Sequence, residues 1–319
     1  DPTNALRQIA VSASSNVTFS AGNAASVLSL TGSGVFEKTG AASLAIVDAS
    51  AFTGTLRVAE GTLLLTGLTP PVTPALATNG LAFHADATKH VEWALEGGVR
   101  RVSRWGSAVG DGWFAYPQVN KPEYRLADLG GLPVVDLGAM GSLRHLLFCN
   151  TNSAVGATNR IANIRSIFWV MGSQSGGGYL LGGGTNASRA AAHYNFHRGP
   201  KMGSNDVANP ITPDHYLWGG PSDPKIKDAT SITHLHGVAT NGSQTILSGG
   251  YDLIGLVLNQ YATEAEGFAF DGRYLDSKAY DIRSGGQRLA EVLIYNRPLS
   301  DAERQGVECY LQRKWALLP

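Results

Sequence analysis

Short apolar runs separated by glycine or small polar residues recur along almost the whole chain, and this pattern constrains the fold more than any other feature. Between Leu81 and Tyr295, about a dozen runs have the length and alternation of β-strands. Only the stretch from Ser300 to Trp315 has helical spacing. Glycine accounts for 39 of the 319 residues, which suits many tight turns. The sequence therefore predicts an all-β protein with one C-terminal helix.

The most clearly marked elements are the last strand and the helix after it. Leu289 to Tyr295 is a short apolar run with regularly spaced branched residues, typical of a buried strand. Pro298 cannot donate to a strand ladder, so the strand ends before it. Ser300 and Glu303 have the spacing of a capping box, which marks the start of a helix. We expect a core strand and a helix that packs back on the fold.

Residues 1–66 have a different character, with few charged or aromatic side chains and many small ones. Their short alternating runs begin about every eight to twelve residues, a regularity that is typical of stacked solenoid turns. This segment therefore predicts a short β-solenoid.

Residues 67–77 contain three prolines and predict a semi-rigid linker. From residue 78 to residue 319 the strands are longer and aromatic side chains are more frequent. About a dozen strands with one helix fit a two-sheet jelly-roll sandwich of ordinary domain size.

Two resemblances agree with this division. Residues 32–40 and 58–63, GSGVFEKTG and VAEGTL, resemble the autotransporter-associated β-strand repeat, which builds β-helical stalks of secreted bacterial surface proteins. Residues 294–300 and 301–304, IYNRPLS and DAER, resemble the closing segment of bacterial laminin-G-like, concanavalin-A-like jelly-roll domains, and residues 81–87 resemble their opening strand. The resemblances imply an extracellular or cell-surface location in bacteria and a surface-binding habit, without implying a reaction.

Charge and hydropathy exclude two classes of partner. The formal net charge is zero and only 16% of residues are charged, whereas nucleic-acid binding needs clustered lysine and arginine. No apolar run approaches the about 18 residues that membrane insertion requires. Because the chain begins at Asp1 inside a repetitive region, we expect it to be a fragment attached to the remainder of a longer surface protein.

A catalytic role is not predicted. Jelly-roll glycosidases carry carboxylates in a pattern close to Glu-x-Asp-x-x-Glu, because an acid and a base or nucleophile must flank the scissile bond. The nearest pair here, Glu264 and Glu266, lies in a segment with the composition of a solvated loop. The sequence also lacks a Gly-x-Ser-x-Gly elbow, a Walker loop and a zinc-protease helix.

Two groups of side chains are candidates for binding a metal: histidine pairs and loop carboxylates. His193 and His197, like His234 and His236, have spacings that zinc could use, but neither pair has a third ligand nearby, so sheet-filling histidines are the favoured interpretation. Jelly-roll relatives often hold Ca²⁺ with loop carboxylates, which makes calcium the candidate cofactor. The candidate ligands, whose alternative role is to cap turns, are Asp86, Asp111, Asp271 and Asp276.

Ligand binding is predicted from aromatic side chains near glycine-rich turns. Sugars stack on flat aromatic rings while polar groups bind their hydroxyls. The candidates, each of which could instead cover the core, are Trp113, Tyr116, Tyr194, Arg198, Tyr216 and Trp218.

The two cysteines, Cys149 and Cys309, could form one disulfide, and two buried thiols are the alternative. A disulfide would tie the C-terminal helix to the middle of the domain.

Three functions follow. The leading hypothesis is a non-catalytic extracellular binding or adhesion module for glycan or a surface polymer. The second is a purely structural cap or spacer, for which Trp113, Tyr216 and Trp218 should be buried. The third is a glycoside hydrolase or lyase with an unrecognised pair of carboxylates about 5 to 9.5 Å apart.

Overall fold

The structure is a computed structural model, and it describes residues 7–11, 16–20, 25–49, 52–65, 74–152, 159–173, 178–183, 196, 198, 216–219, 225–270 and 284–317. Its elements are β1 (Arg7–Val11), β2 (Asn16–Ser20), β3 (Ala25–Gly32), β4 (Val35–Thr39), β5 (Ser43–Asp48), β6 (Thr55–Val58), β7 (Thr62–Leu65), β8 (Leu81–Asp86), β9 (Val91–Glu96), β10 (Val99–Gly106), β11 (Trp113–Pro117), β12 (Glu123–Leu129), β13 (Leu132–Asp136), β14 (Leu146–Asn150), β15 (Ile161–Ile164), β16 (Ser166–Ser173), β17 (Leu181–Gly182), β18 (Ser231–Leu235), β19 (Val238–Thr240), β20 (Tyr251–Leu258), β21 (Thr263–Ala265), β22 (Gly267–Phe268), β23 (Gln287–Tyr295) and α1 (Asp301–Lys314).

The chain divides into two compact units, Asp1–Thr73 and Pro74–Leu318. The division falls inside the predicted 67–77 linker, of which residues 67–73 lie outside the described residues. Each unit has its own cluster of buried apolar side chains.

The first unit is a β-solenoid, as predicted. Strands β1, β3, β5 and β7 pair in parallel in one sheet, and β2, β4 and β6 pair in parallel in a second. Successive strands therefore alternate between two sheets, which is how a solenoid coils. Side chains that point inward stack between the sheets, and Leu30, Phe36, Leu44 and Ile46 are fully buried there.

Lys38 is a buried cation in the solenoid core. Its ammonium donates to the backbone carbonyls of Thr39 at 2.8 Å, Gly40 at 2.5 Å and Glu60 at 3.0 Å. Because Glu60 lies one coil further along the chain, these hydrogen bonds connect successive coils.

The second unit contains an antiparallel sheet of 14 strands that curls over on itself into a sandwich. Strand β23 lies at its centre, paired with β16 along one edge and with β13 and β8 along the other. These pairings bury nearly all of β23, so the predictions of a core strand and an all-β sandwich are confirmed.

The sandwich core lies between β8, β23 and β16 on one side and β10, β14 and β22 on the other. The ring of Phe83 on β8 lies 5.0 Å from that of Phe148 on β14 and 5.9 Å from that of Phe268 on β22. Trp105 of β10 contacts the same Phe268 ring at 5.9 Å, and its indole N–H donates to the carbonyl of Asp86 at 3.1 Å. Aromatic packing thus closes the two layers.

Helix α1 covers the opposite face of β8 and β23. Neighbouring residues of a strand point to opposite faces, so His84 and Glu291 point away from the core that Phe83 enters. Glu291 is instead contacted by side chains of α1 and by Trp315, which follows the helix. The predicted capping box is confirmed, because Ser300 accepts from the Glu303 N–H and Glu303 accepts from the Ser300 N–H. Within the described part of the chain, no helix has the length and apolar character to cross a bilayer.

One hairpin differs from the sequence prediction. Asn-Gly is the strongest short hairpin signal, so Asn241-Gly242 predicts a turn between strands at 233–240 and 244–247. The turn lies instead at His236 and Gly237, whose φ values of 52° and 84° suit a two-residue hairpin turn, and it joins β18 to β19. Asn241 forms a separate turn, in which its side chain accepts from the Ser243 N–H at 3.1 Å.

Candidate functional site

Trp218, a predicted ligand-binding residue, lies in the core. Its side chain is 1% exposed, and its ring packs against Trp169 and Phe196 at centroid distances of 6.2 and 6.3 Å. The indole N–H donates to the Thr233 hydroxyl at 2.8 Å. An enclosed indole offers no face to a sugar, so the ligand-binding prediction for Trp218 is wrong.

Arg198 is also buried, at 1% exposure. Burial lowers the pKa of its guanidinium to about 10, while the charge of Asp252 acts in the opposite direction. Asp252 is fully buried, accepts from the Ser248 N–H at 3.0 Å and lies 2.9 Å from His236 Nε2. Arg198 therefore belongs to a buried polar group rather than to an open surface. Tyr194 lies outside the described residues.

The other predicted aromatics are half-buried and do not share a surface. Trp113 and Tyr116 both lie on β11. Because they are three residues apart along the strand, their side chains point to opposite faces. Trp113 packs against the sandwich core, whereas the Tyr116 ring lies 6.1 Å from that of Phe114. Burial raises the pKa of the Tyr116 hydroxyl. Tyr216 bridges Ile246 through its backbone. Ligand binding at these three residues stays a prediction.

The predicted calcium ligands are not brought together where the structure describes them. Asp111 is exposed, and its carboxylate accepts from the Trp113 N–H at 3.2 Å, which is the turn-capping role proposed as its alternative. Asp86 is fully buried at the end of β8. Asp271 and Asp276 lie outside the described residues.

Asp86 belongs to a buried cluster with His84 and Glu291, whose ligand-type atoms all lie within 4.8 Å of one another. The ammonium of Lys314 lies 2.6 Å from Asp86 Oδ2 and 2.6 Å from Glu291 Oε2. It therefore occupies the position that a metal cation would need. Burial acts to raise the pKa of Asp86, but the hydrogen bond and charge of Lys314, together with Thr88, lower it overall.

The nearest carboxylate pair in the sequence, Glu264 and Glu266, is joined by a cation. Arg160 Nη1 lies 2.7 Å from Glu264 Oε1, and its Nη2 lies 3.4 Å from Glu266 Oε1. Glycoside hydrolysis needs the space between its two carboxylates for the scissile bond. A guanidinium between the pair therefore favours a structural ion-pair role.

Among the described residues, His234 and His236 do not come together as a metal site. His234 is 5% exposed on β18, and burial lowers its pKa to about 4. His236 lies beyond the end of β18, in the hairpin turn, and pairs with Asp252. Because the strand ends at Leu235, His234 and His236 do not share one strand face. His193 and His197 lie outside the described residues.

Cys149 and Cys309 are thiols in the structure, which is the alternative to the possible disulfide. Phe148 faces the core from β14, and its neighbour Cys149 therefore points out of the far face of the sandwich. Cys309 lies on α1, which covers the other face. A disulfide needs Cα atoms within about 7 Å, and the two packed sheets alone are about 10 Å apart.

Sequence reasoning missed an aromatic surface on the β9–β10 hairpin. Trp93 and Leu95 on β9 are 41% and 65% exposed and lie on one face of the strand. The guanidinium of Arg100 lies 5.3 Å from the Trp93 ring centroid, and the Tyr124 ring lies 6.3 Å from it, inclined by 32°. We refer to Trp93, Leu95, Arg100 and Tyr124 as the hairpin patch.

The surroundings of the hairpin patch hold it in a defined geometry. Tyr124 donates from its hydroxyl to the Ala87 carbonyl at 2.8 Å, which fixes its ring. On the other face of β9, Glu92 lies 3.3 Å from Arg104 and Glu96 lies 2.5 Å from Lys121. The patch therefore presents apolar and aromatic groups on one face of β9, with the Arg100 guanidinium over the Trp93 ring.

The signal for this surface was present in the sequence. In residues 91–96, VEWALE, large apolar side chains stand at every second position, Val91, Trp93 and Leu95, and Gly97-Gly98 follows as a turn. What the sequence does not show is that β9 lies at an edge of the sheet: among the described strands it pairs with β10 alone. An alternating strand is normally half-buried, so Trp93 would be assigned to the core without that knowledge.

Comparisons with known proteins assign no family. No family model and no curated protein matches the chain. Trypanosoma rangeli sialidase in complex with 2,3-difluoro-KDN is 15% identical with a TM-score of 0.31, over 77% of this chain and 36% of the sialidase chain. The same sialidase with 2,3-difluorosialic acid, as a covalent intermediate, is 16% identical with the same TM-score and coverage. Likeness this low, over 36% of the sialidase chain, assigns neither fold nor activity.

Proposed function

We propose that this chain is a non-catalytic extracellular binding module of a longer bacterial surface protein, and that it recognises glycan or another surface polymer through the hairpin patch. The observation that carries the proposal is the exposure of Trp93 beside Tyr124 and Arg100. Single exposed apolar side chains are ordinary, whereas a contiguous aromatic group beside a cation is typical of a ligand surface.

The chemistry of the patch suits a sugar. The apolar face of a pyranose ring stacks on indole and phenol rings, and guanidinium N–H groups donate to hydroxyl oxygens. Trp93 and Leu95 supply apolar area, and Arg100 supplies donors from above the Trp93 ring, 5.3 Å from its centroid. The resemblance to a laminin-G-like jelly roll preceded by an autotransporter-associated repeat supports a location on the bacterial surface.

A second candidate function is that of a structural cap or spacer. The burial of Trp218 favours it, because that function predicts that the loop aromatics fill the core. Trp113 and Tyr216 are half-buried and do not separate the two functions. The ion pairing of Glu264 and Glu266 with Arg160 supports a non-catalytic role under both candidates.

Affinity gel electrophoresis on a panel of bacterial and plant polysaccharides tests the proposal. The native chain should be retarded by at least one polymer, and Trp93→Ala should weaken that binding about tenfold or more, because a stacked aromatic ring is a typical binding hot spot. The matched control is Val238→Ala, which truncates a 68% exposed side chain on β19.

Two outcomes would count against the proposal. A native chain that is not retarded by any polymer favours the structural spacer. Retardation that Trp93→Ala and Val238→Ala leave equally unchanged places the binding surface elsewhere.

A further inference from the structure

A lysine, an aspartate and a glutamate meet in the interior between α1 and the sandwich. Lys314 Nζ lies 2.6 Å from Asp86 Oδ2 and 2.6 Å from Glu291 Oε2. Both carboxylates are fully buried, and the Lys314 side chain is 18% exposed. Asp86 and Glu291 are directly opposite each other on β8 and β23, so strand register fixes their separation.

Each reacting group is held in place by a neighbour. Glu291 is 2.6 Å from His84 Nε2 and accepts from the Tyr310 hydroxyl at 3.1 Å and the Trp315 indole at 2.6 Å. The remaining oxygen of Asp86, Oδ1, accepts from the Thr88 N–H at 3.0 Å and the Thr88 hydroxyl at 2.7 Å. Two donors therefore point at one carboxyl oxygen while an amine nitrogen contacts the other.

We propose that Lys314 and Asp86 join in an intramolecular isopeptide bond, and that Glu291 relays the proton. The lysine nitrogen attacks the side-chain carboxyl carbon of Asp86, a C–N bond forms and one C–O bond breaks. Of the three ammonium protons, one stays on the amide nitrogen and two leave with the departing oxygen as water. Nothing is oxidised or reduced, so the step needs no co-reactant.

The geometry supplies what this condensation requires. The Lys314 ammonium contacts two buried carboxylates, so an acceptor lies within reach of the proton that must leave the nitrogen before it attacks. Glu291 contacts the lysine nitrogen and can accept a proton from it before passing that proton to the departing oxygen. The two Thr88 donors stabilise the negative charge that develops on Oδ1 when nitrogen attacks. The fold holds the Lys314 nitrogen within hydrogen-bonding distance of the Asp86 carboxyl group, so the two groups do not have to meet by diffusion.

The bond would connect the two ends of the second unit. Asp86 ends its first strand, β8, and Lys314 is the last residue of its helix, α1. Most of the unit would then lie inside a covalent loop, which restricts the unfolded chain as a disulfide does. This gives a module without disulfides among its described residues a covalent means of resisting unfolding.

Intact-mass spectrometry of the denatured full chain tests the proposal. The native chain should be lighter than its sequence mass by one water molecule, and digestion should yield one branched peptide containing both Asp86 and Lys314. Lys314→Arg keeps the positive charge but should have the full sequence mass. Glu291→Gln, which keeps the size of the side chain, should also have the full mass, because it cannot relay the proton.

A control separates this bond from another loss of water. Aspartate before glycine, as at Asp111-Gly112, can cyclise to a succinimide with the same mass change. A loss of water that persists in Lys314→Arg would therefore overturn the isopeptide bond, as would a native chain of full sequence mass. A bond that forms completely in Glu291→Gln would overturn the relay assigned to Glu291.

Discussion

Trp218 illustrates how a single residue can be misassigned from its sequence neighbourhood. Prolines and glycines surround it, and such segments usually lie on the surface. The indole nevertheless fills the core against Trp169, and its N–H is satisfied by Thr233. The glycine-rich surroundings serve this packing, because the backbone of Gly242 passes beside the ring.

We expect Gly242→Ala to destabilise the sandwich by about 2 kcal/mol, because added atoms in a packed core force displacement of their neighbours. A Cβ at this position would lie 2.0 Å from Trp218 Cδ1 and 2.3 Å from Trp218 Nε1. The indole would have to move and would lose its hydrogen bond to Thr233. Urea unfolding followed by tryptophan fluorescence measures the change.

Gly250→Ala is the matched control, because the nearest atom to its added Cβ is Ser248 Oγ at 3.6 Å. Its free energy of unfolding should change by no more than about 0.5 kcal/mol. Equal stability of both variants would show that the Trp218 side chain is not confined as described.

At the scale of elements, the start of α1 depends on a few hydrogen bonds. The Ser300 hydroxyl lies 3.4 Å from the Glu303 N–H that donates to it, and Glu303 Oε2 accepts from the Ser300 N–H at 3.0 Å. Glu303 also pairs with Arg297 at 2.6 Å. Hydrogen bonds from Arg297 and then from Ser300 lower the pKa of Glu303 to about 2.

We expect Ser300→Ala to lower the free energy of unfolding by about 1 kcal/mol, the usual effect of removing an N-cap side chain. Thermal unfolding followed by circular dichroism is the measurement. Ser103→Ala, which removes an exposed hydroxyl from β10, should be near-neutral. If the two variants unfold at the same temperature, the cap contributes nothing measurable.

Elements whose residue pattern lies within their own stretch of sequence could be predicted from that pattern. Strand β23 follows from its apolar run, α1 from its capping residues, and the solenoid from regular spacing. The hairpin turn was misplaced because Asn-Gly is the stronger local signal, whereas His236 adopts a positive φ that few non-glycine residues take. Strand β18 also pairs with β20, and the sequence around β18 does not show this pairing.

The candidate site was harder to predict for the same reason. Exposure of Trp93 depends on β9 lying at a sheet edge, and the buried Arg198 lies close enough to Asp252, which is distant in sequence, for that charge to act on the pKa of its guanidinium. Contact among Lys314, Asp86 and Glu291 joins residues from three elements. Residue type and spacing identify chemical groups, but only strand order and helix docking determine which groups meet.

At the scale of the whole molecule, two kinds of β-structure follow one another in the chain. In the first unit, parallel pairing stacks each coil on the one before it, and each coil adds a few buried side chains to the core. Antiparallel pairing in the second unit encloses a larger core that includes aromatic clusters and buried polar groups. Buried titratable groups make the stability of this second unit dependent on pH.

His145 provides the clearest case. Its side chain is 2% exposed, its ring lies 5.1 Å from that of Phe270, and burial lowers its pKa to about 4. The unfolded pKa is near the ordinary value of about 6.5, so below that pH the unfolded chain binds a proton that the folded chain does not. Stability is therefore complete above the unfolded pKa and is lost as the pH falls towards the folded pKa.

We expect His145 to contribute a loss of about 2 kcal/mol in the free energy of unfolding between pH 7 and pH 5, since about 1.5 pH units lie below the unfolded pKa. Urea unfolding at both pH values measures the loss. His145→Gln, which cannot take up a proton, should show a pH dependence smaller by that amount, with the remainder due to other groups such as His234, whose pKa burial also lowers. An unchanged difference between the two pH values in His145→Gln would show that the folded chain protonates His145 as readily as the unfolded chain does.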